Sequence, residues 1–175
     1  MDRLLPTVVT VLVILAIFAL MLWGWRRRAA RDRAAGAGYT APATPGATIA
    51  ETDALYVATT KGGEQLERLA LPGLSFRGRA HVTVADDGVT IAVTGEDPVF
   101  VEAAALDGVG EATFTIDRVV EKDGLLRLSW TTSGGAAADS YLRVVDPADR
   151  APLIAAIETL LPAGSQAGPT TESEV

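Results

Sequence analysis

The chain has 175 residues, a net charge of −7 and no cysteine, enough for one ordinary domain plus tails and excluding a disulfide framework, thiolate zinc sites and cysteine catalysis. The charge is divided: residues 1–33 carry six Arg against Asp2 and Asp32, or +4, and residues 34–175 carry nine Lys and Arg against twenty Asp and Glu, or −11. So acidic a soluble part is a poor match for nucleic acid, whose affinity rests on neutralising phosphates.

From Leu4 to Trp25 there is no charged residue. As a helix this run would be about 33 Å long, against roughly 30 Å for a bilayer's hydrocarbon core. Trp23 and Trp25 lie where amphipathic rings prefer the headgroup level, and Arg26, Arg27, Arg28, Arg31 and Arg33 follow. The run is too long for the apolar region of a secretory signal, and arginines stand where a small-residue cleavage site belongs. The expectation is a retained single-pass anchor over residues 1–33, with Leu4, Trp23, Trp25, Arg26, Arg27 and Arg28 as its membrane contacts. The Lys/Arg asymmetry predicts a short N-terminus outside and the rest of the chain on the cytoplasmic side of the plasma membrane. The basic flank also suits anionic lipid, at about 1 kcal/mol per residue. No Gly-x-x-x-Gly pair marks a helix-dimerisation face.

Residues 34–50 are uncharged and rich in Ala, Gly, Thr and Pro, which predicts a flexible linker. Residues 51–161 read as mostly strand. Tyr56 to Thr60 is β-rich and stops at Lys61-Gly62-Gly63, while Glu64 to Leu71 fits a strand or a short helix. Ala80, Val82 and Val84, the turn Asp86-Asp87-Gly88, and Val89, Ile91 and Val93 form a period-two hairpin. Val99 to Val101 is a further strand. Gly108 and Gly110 are expected to break the chain before a strand at Ala112 to Ile116. Leu126, Leu128 and Trp130 alternate with polar residues after a turn at Glu121 to Gly124, and Tyr141 to Val145 is the last strand. Leu153, Ile154, Ile157, Leu160 and Leu161 then recur at helix spacing, after a cap at Asp146 or Asp149, with Pro152 tolerable only in a first turn. Residues 162–175 are predicted to be disordered.

About seven short antiparallel strands with turns every 8–15 residues predict a small barrel or sandwich rather than βαβ units. The C-terminal helix is expected to cap its open end. The segments Tyr56-Val57-Ala58-Thr59-Thr60, Leu74-Ser75-Phe76-Arg77-Gly78-Arg79-Ala80, Val99-Phe100-Val101-Glu102 and Gly124-Leu125-Leu126-Arg127-Leu128-Ser129-Trp130 resemble actinobacterial small single-pass membrane proteins with a bacterial PH-like domain. The resemblance implies a mainly-β PH-like barrel, a membrane tether and no catalysis, and it brings no defined ligand.

Candidate sites are few. Arg77 and Arg79 alternate on one strand and can share a face, so they are the candidate lipid or partner contacts. His81 stands alone and reads as a surface residue. Asp86, Asp87, Glu96 and Asp97 read as turn residues rather than calcium ligands. Gly108-Val109-Gly110 lacks the third glycine and the strand–helix setting of a dinucleotide loop. No Gly-x-Ser-x-Gly elbow is present. No catalytic residue, metal, cofactor or small-molecule substrate is expected. The reading is a membrane-anchored cytoplasmic module that docks a partner protein. The alternatives are an anionic-lipid sensor or an accessory subunit of a membrane transporter.

Overall fold

The computed structural model describes residues 4–34, 36–112, 114–115, 118–119 and 124–162. These form two compact units, divided after Ala34.

The first unit is helix α1, Leu4–Ala34. Its stretch Thr7–Arg27 has a mean hydropathy of 2.6 and is long and apolar enough to cross a membrane. A helix of this kind near an N-terminus serves as a span or as a secretory signal. Its apolar side chains are exposed along the whole stretch, Leu12 by 60% and Leu15 by 58%, so nothing in the described protein covers them. Trp23 and Trp25 are exposed near its end, and the Arg27 guanidinium lies 5.7 Å from the centre of the Trp23 ring, within cation–π range. Leu4 and Arg28 belong to α1, but their side chains lie outside the described residues.

The second unit is built on β1 (Thr48–Lys61), β2 (Glu64–Arg68), β3 (Gly78–Ala85), β4 (Gly88–Val93) and β5 (Val99–Glu102), then a single 3-10 turn at Ala103–Ala105. It continues through β6 (Leu106–Ala112), β7 (Phe114–Thr115), β8 (Arg118–Val119), β9 (Leu125–Thr131) and β10 (Ala137–Val144) to helix α2 (Pro147–Leu160). The main sheet runs β5-β4-β3-β1-β10-β9-β6, with β2 added beside β1, and β7 pairs with β8 in a separate two-stranded sheet. Every pairing is antiparallel. The mainly-β fold with one C-terminal helix is therefore the one expected.

Alternation decides which face is inside. Ala80, Val82 and Val84 of β3, Val89, Ile91 and Val93 of β4, Leu126, Leu128 and Trp130 of β9, and Ala138, Leu142 and Val144 of β10 share one core. Leu153, Ala156 and Ile157 of α2 join that core, so the helix covers the strands with its period-3.6 stripe. Asp146 caps α2 by accepting from the Ala148 N–H at 2.9 Å. Asp149 instead accepts from the Thr52 hydroxyl at 2.9 Å and pins the helix start to β1.

A chain of hydroxyls crosses the core. Tyr56 Oη donates to the Leu74 carbonyl at 2.8 Å and lies 2.9 Å from Thr59 Oγ1; Thr59 Oγ1 and Ser140 Oγ are 2.8 Å apart; Trp130 Nε1 donates to Ser140 Oγ at 3.0 Å. Burial pushes the Tyr56 phenol up to about 12. A folded-state value above the unfolded one near 10 means that this contribution is complete below pH about 10 and is lost as the pH rises toward 12. Tyr56→Phe is expected to lower stability by about 1–2 kcal/mol at neutral pH through the lost hydrogen bonds. It should also flatten the fall in stability between pH about 10 and 12, read as urea midpoints across that range. An alkaline profile identical to that of the parent chain would contradict the buried phenol.

The structure differs from expectation in several elements. Residues 36–47, expected to be a free linker, are tied to the barrel, and Thr48–Ala50 already belong to β1. Ala37 N–H donates to Ser133 Oγ at 3.2 Å, Tyr39 N–H to the Phe100 carbonyl at 2.7 Å, Tyr39 Oη to the Thr131 carbonyl at 2.9 Å, and Gly46 N–H to Asp87 Oδ2 at 2.9 Å. Tyr39 therefore joins β5, one edge of the sheet, to the end of β9. Burial, then the carboxylates of Glu102 and Asp107, hold its phenol above the ordinary value. Gly38 makes the close approach: a Cβ there would sit 2.6 Å from Val99 Cγ1 and 2.7 Å from the Phe100 carbonyl oxygen. Gly38→Ala is expected to lift this strap at a cost of about 1–3 kcal/mol. Hydrogen exchange at the Tyr39 amide should accelerate accordingly; unchanged protection would contradict the packing.

Gly108 and Gly110 do not break the chain. They lie inside β6, which bulges between Leu106 and Gly108 as it pairs with β9. Gly110 stands opposite Arg127. The expected strand at 112–116 is thereby displaced: Ala112 ends β6 and Phe114–Thr115 is β7. The ambiguous Glu64 to Leu71 stretch is strand β2 over Glu64–Arg68. Pro152 lies beyond the first turn of α2. Its lost backbone bond would have gone to the Ala148 carbonyl, and both residues are exposed; the Asp146 cap and the buried stripe offset a penalty of about 3 kcal/mol. Thr113, Ile116, residues 121–123 of the expected turn and residues 163–175 of the expected tail lie outside the described residues.

Candidate interaction face

Strands β3, β1 and β10 are neighbours, and their outward residues line up in rows. One row is Arg79, Leu55 and Arg143, paired in register across the three strands. The next along the strands is Asp53 with His81, flanked by Ala92 of β4. These positions face out because their sequence neighbours Ala54, Ala80, Leu142 and Val144 face the core. Together with Thr94 and Val145 they line an open depression of about 620 Å³. Leu55 and Ala92 are half-buried, Arg79, His81 and Arg143 are exposed, and Val145 is 68% exposed.

The charges on this face are sorted along the strands. His81 Nδ1 lies 2.9 Å from Asp53 Oδ1, and Nε2 lies 3.8 Å from Glu51 Oε2. The arginines at the Leu55 end have no such partner among the described residues. Three other cations of the domain are engaged, Lys61 with Glu64 at 2.6 Å and Glu67 at 3.8 Å, Arg150 with Glu111 at 2.6 Å, and Arg68 with the Ser75 carbonyl at 3.1 Å, whereas Arg127 Nε is buried without a partner among the described residues. Arg79 lines the depression. Arg77 is exposed one residue before β3 and does not line it. Arg143 is the residue that sequence reasoning missed. Its outward position follows from alternation with Leu142 and Val144, but its place beside Arg79 requires β10 to lie next to β1.

A smaller groove of about 320 Å³ lies between β6 and α2, lined by Glu111, Arg150, Ile154 and Glu158 among others. This is the gap between a strand edge and the C-terminal helix. The Arg150–Glu111 ion pair bridges it at 2.6 Å, which obstructs strand addition there. Among the described residues no three His, Asp or Glu converge as metal ligands. Asp87, one of the acidic turn residues, spends a carboxylate oxygen on the Gly46 N–H.

Comparison with known proteins gives the fold a family. A chain of a solved structure described as "The 8S snRNP Assembly Intermediate" is similar with a TM-score of 0.47 and 10% identity, over 75% of this chain and 96% of that one. No curated protein matches the sequence. The profile of a family described as "Bacterial PH domain-like" matches residues 35–158, a span that takes in the strap, every described strand and nearly all of α2. The chain therefore belongs to the bacterial PH domain-like family.

Proposed function

We propose that the protein is a membrane-anchored, non-enzymatic interaction module whose PH-like domain docks a partner protein at the cytoplasmic face of the plasma membrane. Membership of a family of PH-like domains supports a protein- or lipid-binding role over a catalytic one. The reading is carried by the β3–β1–β10 face, where two exposed arginines with no acidic partner among the described residues flank apolar Leu55, with exposed Val145 beside them, in a domain whose overall charge is strongly negative. Such a face offers a positive potential that complements an acidic partner. Anchoring supports the reading further, because a tether confines the domain to the membrane surface and raises its effective concentration toward membrane-proximal partners. The basic flank of α1 supports the cytoplasmic orientation, and the length of its apolar stretch supports retention rather than cleavage.

The test is crosslinking in intact cells followed by detergent extraction of the full chain. A discrete partner should be recovered both with the native span and with an unrelated span of equal length in place of Thr7–Arg27. Loss of the partner on exchanging the span would move the contacts into the membrane and favour an accessory transporter subunit. Recovery of no partner from either form would remove the docking reading.

A further inference from the structure

The row Arg79–Leu55–Arg143 has a spacing that a partner must match. Neighbouring strands lie about 4.8 Å apart, so the backbones of Arg79 and Arg143 are roughly 9.6 Å apart with Leu55 midway. On an α-helix, residues seven apart share one face and are separated by about 10.5 Å, with the positions three and four along between them. An extended segment fits less well: its same-face residues recur at about 6.6 and 13 Å.

We propose that the β3–β1–β10 face seats an acidic amphipathic helix of the partner protein, lying across the strands. This rests on the docking reading and names its occupant. Two carboxylates seven residues apart meet Arg79 and Arg143, an apolar side chain between them covers Leu55, and Val145 extends the apolar contact. Charge complementarity selects the occupant, since these two exposed arginines have no acidic partner among the described residues. A continuous anionic surface such as a bilayer fits less well. Asp53 lines the same depression on the His81 side, one same-face row from Leu55, and repels a continuous sheet of phosphates more than a helix whose carboxylates are set over the two arginines. Neither arginine contributes to the core, so the surface can be altered without disturbing the barrel.

The experiment uses the full chain in phosphatidylcholine nanodiscs and a fluorescein-labelled helical peptide with two glutamates seven residues apart around a leucine. Fluorescence polarisation should show saturable binding, weakened at least about tenfold by Arg79→Glu with Arg143→Glu and by changing both peptide glutamates to glutamine. A peptide carrying lysines in place of the glutamates should ignore the parent chain and bind the doubly reversed variant, which also shows that the variant is folded. Equal binding of the glutamate and glutamine peptides, or of parent and reversed chains, would overturn the proposal. So would capture of the parent chain by phosphatidylglycerol vesicles that the double reversal abolishes, since the face would then belong to lipid. If the peptide fails while the crosslinked partner of the parent chain persists in the reversed variant, this face is excluded and docking stands; if no partner is crosslinked at all, docking itself has failed.

Discussion

Trp130→Ala is expected to lower the stability of the barrel by about 3–5 kcal/mol, the usual cost of emptying a fully buried indole site. Trp130 is fully buried in the main core. Its ring sits on β9 between Leu106 of β6 and Ala138 of β10, the residues paired with it in register. Its Nε1 is also the terminal donor of the hydroxyl chain through Ser140 and Thr59 to Tyr56. Domains are stable by only about 5–15 kcal/mol, so the loss raises the unfolded fraction by roughly two to four powers of ten. Trp130→Phe keeps much of the packing and loses only the N–H, so it should cost less than half as much. Pulse proteolysis of the full chain across a urea series reads both. The Ala variant should shift the midpoint down by at least about 1 M, given urea slopes of about 1–3 kcal/mol per molar. A midpoint unchanged from the parent would mean that β9 does not present Trp130 to the core.

The second large effect concerns α1. Leu12→Arg together with Leu15→Arg should abolish stable membrane association of the full chain. Each arginine near the centre of a span costs about 2.5–3.5 kcal/mol on insertion, so the pair moves the partition by roughly 5–7 kcal/mol, or several powers of ten. Both leucines are exposed on α1 among the described residues, so the new charges would face the hydrocarbon. After an alkaline carbonate wash the parent chain should stay in the pellet and the double variant should appear in the supernatant. Retention of the variant in the pellet would show that association does not depend on this helix.

How much of this could be read from residues alone depended on whether one element sufficed. The β3–β4 hairpin, the β9 alternation and the α2 stripe each carry their own period, and the structure places their apolar positions in one core. Strand β6 was illegible because its two glycines signal a break in isolation, whereas pairing with β9 holds both inside one bulged strand. The start of β1 was hidden because Thr48, Ile49 and Glu51 are exposed and show no alternation to read. The strap had one signal, a single Tyr39 in a stretch of small residues, and its meaning lies in partners 61 and 92 positions away. Arg79 was legible as outward by alternation. Its companion Arg143 is 64 positions further on, and only the antiparallel pairing of both β3 and β10 with β1 brings the two together.

Placement at the membrane underlies every role proposed for the domain, and the absence of native cysteine makes it directly measurable. A single cysteine introduced as Ala104→Cys, at an exposed position beside β5, can be challenged with a membrane-impermeant maleimide in intact cells. A retained anchor with a cytoplasmic domain predicts a full-length chain that is labelled only after permeabilisation. Labelling in intact cells, or a chain shortened by loss of its apolar segment, would contradict it.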